Sequence, residues 1–414
     1  MPITVAFLLS RPWTRTRKGT QVKSNTDFGT QGAPVSAPLK IVHLANHVQE
    51  IGNGIVNVVI DLACSQADAG HDVLVASAGG EYEALLARHG VRHVRLAQEP
   101  KPSKLASMCW QFNRLIVREK PNVVHAHMIT GALIARIVRL GRSYRIVTTI
   151  HNEFQRSAPL MGIADRAVAV SAAVAQSMQR RGIPVSRLRT VANGTIDSPR
   201  RDRNAKRPAV ATLLHPNVVT IAGMYRRKGV GVLVDAFARI DRDTIPAHLY
   251  VIGNGPDLEE FKAQAVSLEI ADRVHFLGFQ PDAPAFLAQT DVFALASFND
   301  SCPLVISEAR EAGCAIVGSD VDGIPQALDF GGAGVLVPPG DASALADALR
   351  TMLVDTRVRE QWQARARANL EWLRVSRVSR DYVSIYEEVI GRVSSQPDAN
   401  NVPAHMRMGT TESP

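Results

Sequence analysis

Short apolar runs, mostly four to six residues long and rich in Val, Ile, Leu and Ala, recur along the chain from residue 40 onward. The first is Lys40-Ile41-Val42-His43-Leu44-Ala45, followed by a Gly-containing loop and a helical pattern over 54–69. Further strand-like runs fall at 73–77, 91–96, 122–126, 145–150, 167–170 and 189–191, with helical periodicity between most of them. Runs of this kind are buried on both faces, and alternation with helices predicts parallel strands joined by crossovers. A second series follows at 218–222, 248–252, 274–277, 292–296, 315–318 and 334–337, with helices at 230–240 and 343–353 and, after the last strand, at 358–371 and 376–390.

The expected architecture is α/β, with two doubly wound Rossmann-like domains whose ligands sit at the carboxyl ends of the strands. The chain divides into a disordered extension at 1–38, a first domain at 39–200, a polar, basic linker at 201–216, a second domain at 217–375, a last helix at 376–393 and a disordered tail at 394–414.

The densest candidate chemistry lies between residues 297 and 341. A strand leads into Ser297-Phe298-Asn299-Asp300-Ser301-Cys302-Pro303, and a helix follows that carries Glu308 about two turns in. A helix N-terminus here offers the N–H groups of Leu304 and Val305 to a phosphate, and Glu308 could accept hydrogen bonds from a ribose. The next strand runs into Ser319-Asp320-Val321-Asp322-Gly323-Ile324-Pro325-Gln326, then Gly334-Val335-Leu336-Val337-Pro338-Pro339-Gly340-Asp341. Four other strand ends carry candidates. Gly52 and Gly54 flank Asn53 in the first loop, where glycine permits close approach to a ligand. His125 and His127 sit two apart, on one side of a strand, and His151-Asn152 ends the next. No third metal ligand is evident beside the two, so no metal site is expected. Gly223-Met224-Tyr225-Arg226-Arg227-Lys228-Gly229 places three cations at a helix start, which suits a diphosphate.

Order and spacing of these segments resemble the family 4 retaining glycosyltransferases, of GT-B fold, over residues 40 to 390 or so. That family has two acids separated by seven residues, a Gly-Ile-Pro-Glu-like turn, and a Gly-x-Leu-Val-x-Pro-x-Asp stretch. The resemblance implies two domains facing a cleft, with the last helix crossing back to the first. It implies a metal-independent enzyme without a cofactor, moving a sugar from a nucleotide-sugar to an acceptor hydroxyl with retention. Carried over by position, His127, Asp300, Arg226 and Lys228 are expected at the reaction centre. Gly52, Gly54, Arg227, Leu304, Val305 and Glu308 are expected on the donor, and either Arg226 or Arg227 supplies the second cation. The turn Gly253-Asn254-Gly255-Pro256 and the segment Asn193-Gly194-Thr195-Ile196-Asp197 match family segments expected to be structural. Five positions depart from the family: Asp300 stands for the usual Glu, Ser301-Cys302-Pro303 for Gly-Phe-Gly, and Met224 for an Arg. Pro303 removes one backbone donor and fits the first position of a helix.

Composition narrows the partners. The 414 residues are 46% hydrophobic and 21% charged, with no apolar run long enough to span a membrane. Four scattered cysteines fit free thiols in a reducing compartment. Residues 1–216 hold 29 Lys+Arg against 13 Asp+Glu, or +16, whereas residues 217–414 hold 18 against 26, or −8. A basic first half suits a glycan or lipid-linked acceptor and peripheral contact with an anionic membrane. Nucleic acid is not expected, because no such motif or aromatic–basic interleaving is present. The expected location is the cytoplasm, including the inner face of the membrane. Two readings stand beside the transferase: a GT-B nucleotide-sugar epimerase, and a catalytically inactive GT-B binding subunit.

Overall fold

The computed structural model describes residues 37–98, 102–201 and 211–392. All but the last two residues of the extension expected at 1–38, and the tail expected at 394–414, lie outside them, as do 202–210 of the linker. The first parallel sheet holds β1 (Lys40–Leu44), β2 (Asp72–Ser77), β3 (Arg92–Arg95), β4 (Val123–Ala126), β5 (Arg145–Ile150), β6 (Arg166–Ala169) and β7 (Leu188–Thr190), in the order β3-β2-β1-β4-β5-β6-β7. Its helices are α1 (Gly54–Asp68), α2 (Glu83–Arg88), α3 (Leu105–Glu119), α4 (Ile129–Val138) and α5 (Ala172–Arg180). The second parallel sheet holds β8 (Asn217–Ile221), β9 (His248–Ile252), β10 (Val274–Gly278), β11 (Val292–Leu295), β12 (Ala315–Ser319) and β13 (Val335–Val337), in the order β10-β9-β8-β11-β12-β13. Around it lie α6 (Val230–Ala238), α7 (Leu258–Ser267), α8 (Ala283–Leu287), α9 (Leu304–Ala312), α10 (Ile324–Ala327), α11 (Ala342–Val354) and α12 (Thr356–Ala366).

Both sheets are buried on both faces, as their apolar runs require. In the first, Val42, Leu44 and Leu74 pack with α3 and α4, while Ile41, Val73 and Val123 face α1 and α13 (Val375–Ile390). Helix α13 is the crossing helix. Its Val378, Tyr382, Ile385, Tyr386 and Val389 share one core with α1, and Glu388 accepts a 2.7 Å bond from Arg166 of β6. The chain passes between the sheets where Ile196 bridges Arg374, and a side chain at Gly194 would meet the Leu373 carbonyl at 2.1 Å.

Strand order reverses between β1 and β4 in one sheet and between β8 and β11 in the other. Loops leaving a reversal point diverge and open a crevice. The loops that leave these strands carry Gly52 to Gly54, His127, the basic turn and Asp300. Topology therefore gathers at the cleft the segments singled out from sequence.

Candidate active site

The basic turn is folded by its last residue. Gly229 has φ +65°, and a Cβ there would lie 1.8 Å from the Ala296 carbonyl. This pins a single 3-10 turn over Arg226–Lys228 against the end of β11. The tight turn splays the three cations. Arg226 points outward, to Glu260 at 2.8 Å, and its N–H donates to Asp257. Arg227 turns the other way: it stacks on Tyr225, donates to the Asn299 carbonyl at 3.4 Å, and its own carbonyl accepts from Phe298 N–H at 2.8 Å. Lys228 donates to Asp300 Oδ2 at 2.5 Å. Arg227 and Lys228 thus face the acidic loop, and Arg226 does not. Met224, where the family carries Arg, is fully buried in the apolar core beneath, with its N–H bonded to Asn254 O at 2.9 Å. The turn Gly253 to Gly255 packs on it, since a Cβ at Gly255 would lie 2.4 Å from Met224 O.

The loop after β11 is held from below. Asp300 is 7% exposed; its N–H donates to Asp322 Oδ2 at 2.9 Å and its carbonyl accepts from Gly323 at 3.0 Å. Gly323 must be glycine, because a Cβ would meet Ser301 O at 2.1 Å. Burial, reinforced by the Asp300 charge, raises the Asp322 pKa against the hydrogen bonds it accepts. Cys302 packs on the first domain's core, and burial pushes its thiol up to about 12, so it is no nucleophile at neutral pH. Pro303 has extended backbone and stands at the N-cap, with Leu304 first in α9; the sequence placed it one residue further in. No side chain caps α9, which leaves the N-terminal turn at Leu304 and Val305 available to an anion.

The first domain meets this turn with a second helix start. Asn53 caps α1 by accepting from Ile55 N–H at 2.9 Å. A Cβ at Gly54 would lie 3.8 Å from Leu304 Cδ1, and one at Gly52, where φ is +70°, would lie 2.9 Å from the Phe279 ring. Glycine at 52 lets the two domains close here, whereas a side chain at 54 would make only ordinary contact; two helix N-termini face one crevice.

Glu308 lies on α9 beside the chain crossing. Arg201 reaches it at 3.5 Å and also pairs with Glu311, one turn on. A cavity of about 220 Å³ adjoins them, walled by Pro284, Ala288 and Ser198. The preceding Arg200 goes the other way, making a two-pronged bond to buried Asp61 of α1 at 2.9 and 3.0 Å. Consecutive arginines therefore tie the start of the linker to both domains, where the sequence suggested only a polar connection.

His127 is 2% exposed and does not present a free nitrogen to the cleft. Its Nε2 bonds His43 Nδ1 at 3.0 Å and its Nδ1 bonds His151 Nε2 at 3.1 Å. His43 continues to Gln66 at 2.8 Å, and Gln66 to Tyr386 of α13 at 3.4 Å. Tyr386 bonds His125 Nδ1 at 2.7 Å, and His125 Nε2 bonds Thr149 at 2.7 Å. His43, His125 and His127 bring ligand atoms within 4.8 Å of one another, so a third histidine does join the pair seen in sequence. All six of their ring nitrogens have protein partners, which fits a hydrogen-bonded network. Burial lowers the pKa of each of its histidines: His43 to about 4, His151 to about 3, His125 and His127 well below the usual range.

His151, just past the carboxyl end of β5, is half-buried, while every other member of the network is buried. Two residues on, Glu153 is 6% exposed with Oε1 unpartnered among the described residues. Burial raises its pKa, Ser177 opposes this, and the charge of Asp322 from the second domain adds to it. Neither Glu153 nor Arg201 carries a sequence signal: Arg201 pairs with acids more than a hundred residues on, and Glu153 takes its setting from Ser177 and, across the cleft, Asp322.

Comparison with known proteins gives the family. Residues 52–197 match the model for Glycosyltransferase Family 4, and residues 215–355 match that for Glycosyl transferases group 1. The chain belongs to the family 4 glycosyltransferases. It is 29% identical over 292 residues to the N-acetyl-alpha-D-glucosaminyl L-malate synthase of Bacillus anthracis, covering 66% of this chain and 76% of that one. It is 34% identical over 166 residues to the phosphatidyl-myo-inositol mannosyltransferase of Mycobacterium leprae, covering 39% of this chain and only 44% of that one. The fold matches the crystal structure of Anabaena HepE in complex with UDP-glucose, with TM-score 0.71, 19% identity, 84% of this chain and 100% of that one. This glycosyltransferase thus has the GT-B architecture, and among its described residues no helix is long and apolar enough to cross a membrane.

Proposed function

We propose that the protein moves a sugar from a nucleotide-sugar to an acceptor hydroxyl, with retention, in the synthesis of a cell-surface polysaccharide, lipopolysaccharide or glycolipid. The observation that carries this reading is the convergence of Lys228, Arg227, Asp300 and the α9 N-terminus opposite Gly52 to Gly54. Fixed cations and helix dipoles aimed at a diphosphate stabilise the charge that grows on it as the sugar leaves. Leu304 and Val305 N–H groups, Arg227 and Lys228 hold the phosphates, and Glu308 takes the ribose hydroxyls once it exchanges Arg201 for them. Asp300 holds the transferred sugar from below. In this reading Arg226 is a surface residue, and His151 takes the place at the sugar that the resemblance gave to His127.

The bond from the anomeric carbon to the diphosphate oxygen breaks, and a bond to the acceptor oxygen forms on the same face. The acceptor proton passes to the leaving phosphate, so no protein nucleophile is required. Incubating the pure protein with a panel of nucleotide-sugars, UDP-glucose first, tests the reading. Slow release of sugar and nucleoside diphosphate is the expected result. An epimerised nucleotide-sugar would make it an epimerase, and binding without turnover would make it a binding subunit.

The acceptor, in this reading, is lipid-linked or anionic, and the first domain docks on an anionic membrane. Helices α3 and α4 pack side by side and bury Phe112, Leu115, Ile134 and Ala135. Their outer faces expose Trp110 at 60%, Val117, Leu133, Ile137 and, just beyond α4, Leu140 at 79%. Between residues 102 and 145 there are eight Lys and Arg and one acid, the buried Glu119. Apolar side chains ringed by cations on one face suit a bilayer with anionic headgroups.

A further inference from the structure

We propose that Gln66, His43 and His127 form a positioning relay that fixes the tautomer of His151, so that its Nδ1 lone pair, and not an N–H, meets a sugar hydroxyl in the cleft. The argument is one of donors and acceptors. Gln66 Oε1 is a carbonyl oxygen and only accepts, so His43 Nε2 carries the hydrogen in their 2.8 Å bond. A neutral imidazole has one N–H, which leaves His43 Nδ1 as an acceptor. His127 Nε2 must then donate to it across 3.0 Å, and His127 Nδ1 becomes the acceptor. His151 Nε2 must donate to that nitrogen across 3.1 Å. What remains on His151 is an unprotonated Nδ1, for which no partner is found among the described residues.

The far half of the network accommodates the same direction. Gln66 Nε2 donates to Tyr386, the Tyr386 hydroxyl pairs with His125 Nδ1, His125 Nε2 with Thr149, and Thr149 with Tyr382 at 2.9 Å. The Gln66 carboxamide sets the sense on the side of His43, His127 and His151, where each ring has one nitrogen already committed. A relay needs neutral rings, and burial supplies them: a charged imidazole would break the sequence by donating twice. The same burial makes His151 a weak base, so it orients a hydroxyl and does not remove its proton. The relay rests on the proposed function only for the identity of that hydroxyl; the tautomer is a property of the free protein.

The test is long-range proton–nitrogen NMR of the full, uniformly nitrogen-labelled chain at neutral pH, with the His151 signals assigned from His151→Gln. The wild type should show a protonated-type Nε2 and an unprotonated-type Nδ1 at His151. Gln66→Met, which removes the acceptor, should shift both signals towards a tautomer mixture and lower kcat by about tenfold, with the donor KM little changed. Gln66→Glu keeps an acceptor for His43 and should restore the His151 signals. A wild-type His151 bearing its hydrogen on Nδ1 overturns the relay, as does a folded Gln66→Met protein whose His151 signals have not moved. If Gln66→Met fails to fold, the wild-type spectrum alone decides. The expected spectrum in a protein that turns over no donor would overturn the function and leave the relay standing.

Discussion

Lys228 Nζ and Asp300 Oδ2 lie 2.5 Å apart, so the cation expected on the diphosphate and the acid expected on the sugar are each other's partners in the free protein. Both are largely buried, with side chains 16% and 10% exposed. Aspartate, one methylene shorter than the family's glutamate, fits this spacing because Gly229 draws the basic turn onto β11. Lys228→Ala leaves a mostly buried carboxylate without its cation and, on the proposed function, takes one cation from the diphosphate. A charge-assisted bond of this kind contributes roughly 1.5–3 kcal/mol, so kcat/KM should fall by about one to two decades, chiefly in kcat. Asp300→Glu pushes a longer acid into Lys228 and should lower activity as well. Steady-state rates decide: a Lys228→Ala enzyme of normal kcat removes the pair from the reaction centre.

The neighbouring arginines should separate. Arg227→Ala removes the guanidinium beside Asn299 and should raise the donor KM, whereas Arg226→Ala removes an exposed partner of Glu260 and should leave activity near wild type. Isothermal titration with the nucleoside diphosphate distinguishes them. Loss of binding in Arg226→Ala alone would reverse the assignment.

Glu308 and Arg201 give a third test. On the proposed function, a donor ribose at Glu308 competes with Arg201, 3.5 Å away. Glu308→Ala should weaken nucleotide affinity by about one to two decades, from loss of charge-assisted bonds to the ribose. Arg201→Ala frees the carboxylate, although Glu311 also loses its partner, and should leave affinity equal or higher. If Arg201→Ala weakens binding as much as Glu308→Ala, the arginine is itself a donor ligand and the competition does not exist.

How far these features were legible differs by physical cause. Runs such as 145–150 announced themselves, because a strand buried on both faces must be apolar throughout; the structure places β5 at Arg145–Ile150. The strand-end loops were legible because topology fixes where they go. Arg226 and Arg227 were not separable, since their directions depend on one turn closed by Gly229 against Ala296. Pro303 was misplaced by one residue because a proline serves equally well just before a helix or just inside it. His43 read as part of an apolar strand: its partners Gln66 and His127 lie 23 and 84 residues further along the chain, and no local pattern links them. His127 matched by position, yet only three dimensions show that both its nitrogens are already taken.

The buried histidines also predict a pH dependence of stability. A neutral buried histidine has a folded pKa below the 6.5 or so of the unfolded chain. Between the two values the unfolded state binds more protons. Stability from His43 is therefore complete above about pH 6.5 and is lost as pH falls from there towards about 4; for His151 the loss continues towards about 3. Each such histidine steepens the loss by up to about 1.4 kcal/mol per pH unit. Denaturant unfolding between pH 7.5 and 4.5 should show this slope, and His43→Gln should reduce it by about one proton. A stability that stays flat from pH 7 to 5 would mean that the network already holds a charge.

Membrane docking is the prediction with most consequence for the acceptor. The α3–α4 face combines Trp110, Leu133, Ile137 and Leu140 with Arg114, Arg118, Arg136 and Arg142, and Arg114 stacks on Trp110 at 4.9 Å. Basic residues near an anionic surface contribute about 1 kcal/mol each, fading within a Debye length, while an inserted apolar side chain adds a part insensitive to salt. Two classes of variant should therefore behave differently in vesicle sedimentation. Arg114→Gln with Arg136→Gln should weaken binding to anionic vesicles most at low salt. Trp110→Ala with Leu140→Ser should weaken it at every salt concentration and lower tryptophan emission shifts on binding. Because the basic extension before residue 38 adds charge of its own, the variants must also be compared in a chain beginning near Lys40. Arg359→Gln and Arg365→Gln on α12, on the other sheet, serve as controls and should change nothing. If the wild type binds anionic vesicles and both α3–α4 variants bind equally well, the membrane lies against another face. If the chain from Lys40 ignores anionic vesicles even at low salt, the folded protein is not a docking surface, and a soluble acceptor becomes the better substrate to seek.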